Sequence, residues 1–310
     1  MLMKLSVVST LYRSRPFLDT FIREVREAIM AIGISDYEII FVNDGSPDDS
    51  VTHLLKAKQQ ASDIVVVDLT RNFGHHYAIQ AGLETAAGEL IFLIDNDLEV
   101  RPGILVDFYR EMSADAELDV VYGYQETRKG KATESLSGKI FWKTINRISE
   151  VRIPENILTE RLMTREYVRS LLSLGDANLF LGGMMYWVGF NQKGIPVKKG
   201  IREGQSTYSF GKRMQLMIQA VTSFSGKPLE ILFYFGLLVS FFSFVFLIYL
   251  AAMKIVYADQ VQVGWTSIIA INVMILGIVS TFLGLIGIYI FKIFRQVQGR
   301  PNYIIRKIHR

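Results

Sequence analysis

Two long apolar runs in the C-terminal third leave this chain few ways to fold. From Leu229 to Met253 the only charged residue is Glu230, and from Gly264 to Phe291 there is none. Each run exceeds the ~20 residues a helix needs to cross a ~30 Å hydrocarbon core. A pair of buried core helices is the alternative, and this length disfavours it. The turn between the runs, roughly 254–263, is short. Spans at about 229–253 and 265–291 are therefore expected to form a transmembrane hairpin. Basic residues set its orientation. Lys292, Arg295, Arg300, Arg306, Lys307 and Arg310 follow the second run, Lys212, Arg213 and Lys227 precede the first, and the turn holds only Lys254 and Asp259. Both termini are expected in the cytosol. Met1 to Ser9 is short and reads as a strand rather than a signal peptide.

The remainder divides into a soluble part over residues 1–205, a juxtamembrane amphipathic segment over 206–228 and a basic cytosolic tail over 292–310. In the first 125 residues, Leu5–Ser9, Tyr37–Val42, Ile64–Leu69, Leu90–Ile94 and Val120–Tyr124 read as strands separated by helical patterns, the first of them Pro16–Met30. This alternation predicts an α/β fold, a mostly parallel sheet with helices on both faces. Ligands of such sheets gather beyond the carboxyl ends of the strands, where Asp44 and Asp95 lie. Past Ser135, Leu136, Ile140, Phe141, Ile145 and Ile148 have helical spacing, and a further helix is expected over roughly Arg161–Leu174. Met214–Phe224 reads either as an interfacial helix on the membrane or as an ordinary packed helix.

The stretch Phe92-Leu-Ile-Asp-Asn-Asp-Leu-Glu-Val100 runs an apolar strand into three carboxylates. In extended backbone Asp95, Asp97 and Glu99 would share one face at spacings of ~6.5–7 Å. A cation among them, or a bend into water, relieves the repulsion. Asp95-Asn-Asp97 is a DxD arrangement, suited to Mg²⁺ or Mn²⁺ with sites left for diphosphate oxygens. Asp44-Gly-Ser, after a separate strand, adds a carboxylate at the same sheet edge. Competing chemistries lack their marks. Ser137-Gly138-Lys139 is without the first glycine and the preceding strand of a phosphate loop, and neither G-x-G-x-x-G after the first strand nor G-x-S-x-G occurs. Adjacent His75 and His76 point apart on a helix and read as polar helix-start residues rather than metal ligands. Arg128, Lys129, Lys131, Lys139, Lys143 and Arg147 form either a solvated helix face or a phosphate cradle. The absence of cysteine excludes disulfides and cysteine-ligated zinc. A net charge of +4 concentrated beside the spans suits anionic headgroups rather than nucleic acid, for which there is no motif.

In order along nearly the whole chain come Ser6-Val-Val-Ser-Thr-Leu-Tyr12, Glu38-Ile-Ile-Phe-Val-Asn-Asp-Gly-Ser46, Arg71-Asn-Phe-Gly74 with Ala78 and Gly82, Asp95-Asn-Asp-Leu-Glu99, Gly204-Gln-Ser-Thr-Tyr208 and Arg300-Pro301-x-Tyr303. The set resembles family 2 glycosyltransferases of the polyprenyl-phosphate type, the relatives of dolichol-phosphate mannose synthase and the bacterial GtrB-like proteins. The resemblance implies a GT-A (Rossmann-like) catalytic domain, a nucleotide-sugar donor, UDP-linked, and a polyprenyl phosphate acceptor such as undecaprenyl phosphate. It implies the inner membrane of a bacterium, with the catalytic domain cytosolic, and leaves room for a homo-oligomer.

Carried over by residue, Asp44 is expected at the nucleoside, with Thr10, Tyr12, Asn72, Gly74, Asp95 and Asn96 also on the nucleotide sugar. Asp95, Asp97 and Glu99 are the implied metal ligands, Glu99 standing where the family commonly has glutamine. Arg128, Arg147, Arg202 and Ser206 are expected on the acceptor phosphate, and Asp97, Arg128 and Arg147 are expected to carry catalysis. Two departures stand out. Asn43-Asp44 replaces a pair of aspartates, and the arginine expected three residues before Gly204 falls on Ile201, with Arg202 one residue later. No Q-x-x-R-W occurs, which argues against a processive polysaccharide synthase.

A lipid phosphate is ionised at neutral pH and needs no base, so catalysis reduces to positioning it for in-line, inverting attack and neutralising the departing diphosphate. Two rival readings remain. One is a membrane-tethered protein that binds nucleotide sugar or lipid without turnover. The other is a transferase to a lipid-linked saccharide, whose hydroxyl needs a base from a carboxylate near Asp95 or from a residue such as Glu160.

Overall fold

The structure, a computed structural model, describes residues 4–125, 156–177, 179–200, 226–256 and 265–310. The helices expected after Ser135 and over Met214–Phe224 lie outside them. Strands β1 (Leu5–Leu11), β2 (Tyr37–Asn43), β3 (Ile64–Leu69), β4 (Leu90–Leu93) and β5 (Val120–Tyr124) alternate with helices α1 (Leu18–Ala31), α2 (Ser50–Gln60), α3 (His75–Thr85) and α4 (Ile104–Ala114). Then come β6 (Ile157–Thr164), α5 (Arg165–Ser173), α6 (Leu181–Trp187), β7 (Gln192–Pro196), α7 (Lys227–Val256), α8 (Trp265–Gln298) and β8 (Ile305–His309). They build one sheet in the order β7-β5-β6-β4-β1-β2-β3-β8. The strands β3-β2-β1-β4 pair in parallel, and β6 runs antiparallel to both β4 and β5.

Buried parallel strands carry apolar residues on both faces, and β1 does so: Val7 packs to one side and Val8 to the other. On Val7's side, Phe21, Val25 and Ile29 of α1 recur at helical spacing and meet Phe41, Phe92 and Phe108. On Val8's side, α3 lies close because a Cβ on Gly82 would stand 2.4 Å from Val8 Cγ1. Ala78, Ile79 and Leu83 join Tyr167 and Val168 in this second core.

Three expectations need correction. The helix expected from Arg161 begins at Arg165, because Ile157–Thr164 is strand β6. Its Leu162 and Met163 are buried in opposite cores, and partners on both sides outweigh a local helical spacing. Thr164 then caps α5, its hydroxyl accepting from Tyr167 N at 3.3 Å. The second correction concerns the basic tail. Residues 305–309 pair antiparallel with β3 and complete the sheet. Asn302 Nδ2 donates to Gln80 Oε1 (3.1 Å) and the Asp176 carbonyl (2.9 Å), Tyr303 bonds Glu84, and Arg306 meets Asp68 at 3.4 Å. An edge strand thereby gains a cover. The third is β7, pairing parallel with β5 in a segment without a strand reading.

Helices α7 and α8 hold 30 and 34 residues, and Phe235 meets Phe282 edge-on at 6.1 Å. Among the described residues, Ile275–Gln298 is long and apolar enough to cross a membrane. The end of α8 docks directly on the sheet domain. Gln296 Oε1 accepts from Ala177 N at 2.8 Å, and Gln296 Nε2 donates to the Gly175 carbonyl at 3.1 Å.

Candidate active site

The chain turns at the carboxyl ends of β1, β2 and β4 bring most of the expected donor-side residues to one edge. Asp44 is only 3% exposed. Its amide donates to the Leu11 carbonyl at 3.2 Å, while its two carboxylate oxygens accept from Phe73 N (2.7 Å) and Gly74 N (3.0 Å). This carboxylate therefore shapes the Arg71–Gly74 loop that carries Asn72. The loop lies so near Gly45, at φ +62°, that a Cβ there would stand 2.6 Å from Asn72 N. Asn43 explains its departure from a paired aspartate. Its amide donates to Asp68 at 2.7 Å, where a second carboxylate would meet like charge.

Around β4 the contacts interlock. Asn96 is buried and donates to the Thr10 carbonyl at 2.7 Å. The Thr10 hydroxyl shares a hydrogen bond with His75 Nδ1 at 3.1 Å, and His75 Nε2 stands 3.6 Å from Asp95 Oδ1. Burial, with the Asp97 charge behind it, pushes the Asp95 carboxyl up despite His75 and Lys199. Asp97 Oδ1 accepts from Glu99 N at 3.0 Å across Leu98, whose φ is +59°. Tyr12 is largely exposed at the rim, with the Arg13 guanidinium 5.7 Å from its ring centroid. His76 is held neutral: burial, then His75, takes it down to about 4.

The three-carboxylate ligand set does not assemble. Among the described residues no group of three His, Asp or Glu side chains is placed to hold an ion. Glu99 is ion-paired with Lys199 instead. Asp95 and Asp97 remain two hard oxygen donors with mutual repulsion to relieve, and that pair fits a divalent cation that also takes diphosphate oxygens. Arg128, Arg147, Arg202 and Ser206 lie outside the described residues.

Three further side chains reach this edge: Glu160, named above only as a possible base for a saccharide acceptor, His75, read above as a polar helix start, and Lys199, for which the sequence offers no signal. His75 starts α3, Lys199 follows β7, and Glu160 comes from β6 beside β4. Burial and then the Asp95 charge push the Glu160 carboxyl up to about 7. Burial pulls the Lys199 ammonium down, but Glu99, with Glu160 and Asp97, leaves it raised. Only the antiparallel placement of β6 brings Glu160 here, and no local pattern announces that.

The model of glycosyl transferase family 2 matches residues 6–172. A relative from Mycobacterium tuberculosis is 38% identical over 313 residues, covering 99% of this chain and 89% of that protein. The bactoprenol glucosyl transferase of Shigella phage SfII is 32% identical, covering 99% of each. Among solved structures, the mannosyltransferase PcManGT from Pyrobaculum calidifontis, in complex with GDP-Man and Mn²⁺, is similar with a TM-score of 0.50 at 12% identity. That match covers 96% of this chain and 85% of that one, and it shares the GT-A fold. With its family match over more than half its length, its full-length relatives and a DxD at the end of β4, the chain belongs to glycosyl transferase family 2 and is a glycosyltransferase.

Proposed function

We propose that the protein transfers a hexosyl unit from a nucleotide sugar, UDP-linked, to a polyprenyl phosphate such as undecaprenyl phosphate. The work is done at the cytosolic face of a bacterial inner membrane, with inversion at the sugar. The observation that carries the reading is the cluster of Thr10, Asp44, Asp95, Asn96 and Asp97 at one sheet edge, in a domain fastened directly to the end of the long apolar helix α8. The full-length likeness to a bactoprenol glucosyl transferase supports the acceptor class. The two C-terminal helices form the proposed membrane hairpin, with residues 1–205 as the catalytic domain.

Asp44 organises the Arg71–Gly74 loop for the nucleoside, and Asn96 fixes the end of β1 beside the donor. Asp95 and Asp97 would hold Mg²⁺ or Mn²⁺, which when bound offsets the negative charge of the departing diphosphate. Arg128, Arg147, Arg202 and Ser206 are assigned to the acceptor phosphate, which attacks as an anion and needs no protein base. Glu160 is only 4% exposed, and a carboxyl so enclosed is poorly placed to take a proton from an acceptor hydroxyl, which weighs against the saccharide-acceptor reading.

The test offers purified protein in detergent undecaprenyl phosphate, Mn²⁺ and a panel of UDP- and GDP-sugars. A chloroform-soluble labelled product from a UDP-sugar is expected, and NMR should find a β-linkage from an α-linked donor. No lipid-soluble product with any donor refutes the acceptor, and an α-linkage refutes inversion.

A further inference from the structure

The tail beyond α8 reaches back to the two loops assigned above to the nucleoside. Residues 299–304 alone separate the end of α8 from β8, and Gly299, at φ +61°, turns the chain. In the ladder with β3, Asp68 faces Lys307 while Leu69 faces Ile305, which leaves Arg306 as the extra residue of a bulge. Bulges re-aim a side chain, and this one delivers a guanidinium to two acceptors at once. Arg306 Nη1 meets Asp68 Oδ2 at 3.4 Å, and Arg306 Nη2 donates to the Thr70 carbonyl at 2.9 Å. Thr70 N in turn donates to the Ile304 carbonyl at 3.0 Å. From Asp68 the contacts continue inward. Its other oxygen accepts from Asn43 Nδ2 at 2.7 Å, and Asn43 Oδ1 accepts from Ser46 N at 2.9 Å. Thr70 leads directly into Arg71–Gly74, the loop whose Phe73 and Gly74 amides Asp44 holds. The turn at Gly45 packs on the Asn72 backbone, so the two loops must keep their places together.

We infer that Arg306 is a positioning residue for the donor: from the tail, it fixes the Asp44–Ser46 turn against the Arg71–Gly74 loop, so that the nucleoside pocket is complete only with β8 in place. The inference rests on the reading of those two loops as nucleoside-facing. Geometry carries it rather than the ion pair as such. The Arg306 side chain is 61% exposed, and a pair so open to water contributes little by charge alone. A planar guanidinium, however, offers N–H groups at a fixed separation, and here one serves the strand that backs the turn while the other serves the start of the loop. Because residues 299–304 leash β8 to α8, the same contact links the donor site to the helix proposed to cross the membrane.

The test uses the full-length protein in detergent, with Arg306→Gln, Asp68→Asn and the pair together, and with Arg306→Lys to keep the charge without the fork. Affinity for UDP, or for GDP where the parent prefers it, is read by calorimetry with Mn²⁺ present. KM is measured separately for the nucleotide sugar and for undecaprenyl phosphate, with thermal unfolding alongside. Arg306→Gln is expected to weaken nucleotide binding and raise donor KM about tenfold, with lipid KM and kcat at saturating donor within twofold of the parent. Arg306→Lys should recover only part of that loss, and the double variant should fall well short of the product of the single losses. A donor KM within twofold of the parent in Arg306→Gln overturns the inference. So does a loss shared by kcat and both KM values in step with a lowered Tm, which marks a merely structural role, and so does full multiplication of the single losses. Should the parent bind neither UDP nor GDP, the donor reading falls on that result. Amide hydrogen exchange then decides this one: faster exchange across residues 43–46 and 71–74 in Arg306→Gln upholds it, and unchanged exchange there refutes it.

Discussion

Glu160→Gln should make the protein more stable at alkaline pH, by an amount the site itself sets. The Glu160 carboxyl titrates at about 7 in the folded protein against an ordinary 4.5, with burial as the leading cause and Asp95 next. The folded state thus holds this proton more tightly than the unfolded chain. The stability it contributes is complete below pH 4.5 and is lost as pH rises through about 7. A gap of about 2.5 pH units is worth roughly 3 kcal/mol at pH 8, and under about 1 kcal/mol at pH 5. Glutamine has the shape of the protonated acid and no charge to bury, so it escapes the penalty. At 2–4 °C per kcal/mol, typical for a domain of this size, Tm of the variant should exceed that of the parent by roughly 6–12 °C at pH 8. At pH 5 the two should nearly coincide. The assay is thermal unfolding in detergent with EDTA present, since a bound cation would itself favour the ionised carboxylate. A Tm difference that stays flat from pH 5 to pH 8 would show that burial does not hold this proton.

Three further outcomes are expected, that for Arg128 from its proposed acceptor role. Asp97→Ala should lower kcat by 10²-fold or more through loss of charge compensation, whereas Arg128→Ala should chiefly raise KM for polyprenyl phosphate, with Arg128→Lys only partly restored; nucleotide-sugar titration separates the two. Gly45→Ala forces a Cβ to 2.6 Å from Asn72 N at a positive φ, and should cost about 2 kcal/mol or more of stability and weaken UDP binding, read by calorimetry. Truncation after Arg300 strips β8 from β3, and the exposed edge should lower Tm by more than 5 °C or send the protein into aggregates on size exclusion, roughly as loss of a covering strand does.

Much of this protein is legible in the chain because its signals are local. Runs such as Ile64–Leu69, buried on both faces, announce parallel strands within a few residues, and the two long apolar stretches, one charge-free and one with Glu230 alone, announce long apolar helices. Asp95-Asn-Asp97 and Asp44-Gly-Ser declare a carboxylate-lined edge, since acids at strand ends need only the strand to be placed. Long-range pairing carries no such local mark. Ile157–Thr164 has residues that suit either a helix or a strand, and the partners β4 and β5 on its two sides decided the matter. The same pairing alone sets Glu160 beside Asp95. The C-terminal residues read as a basic tail, yet Ile305–His309 found an open edge at β3, 236 to 243 residues earlier in the chain. Glu99 shows the division most sharply: the family resemblance implies a third metal ligand there, and the fold sets Lys199, one hundred residues on, against its carboxylate.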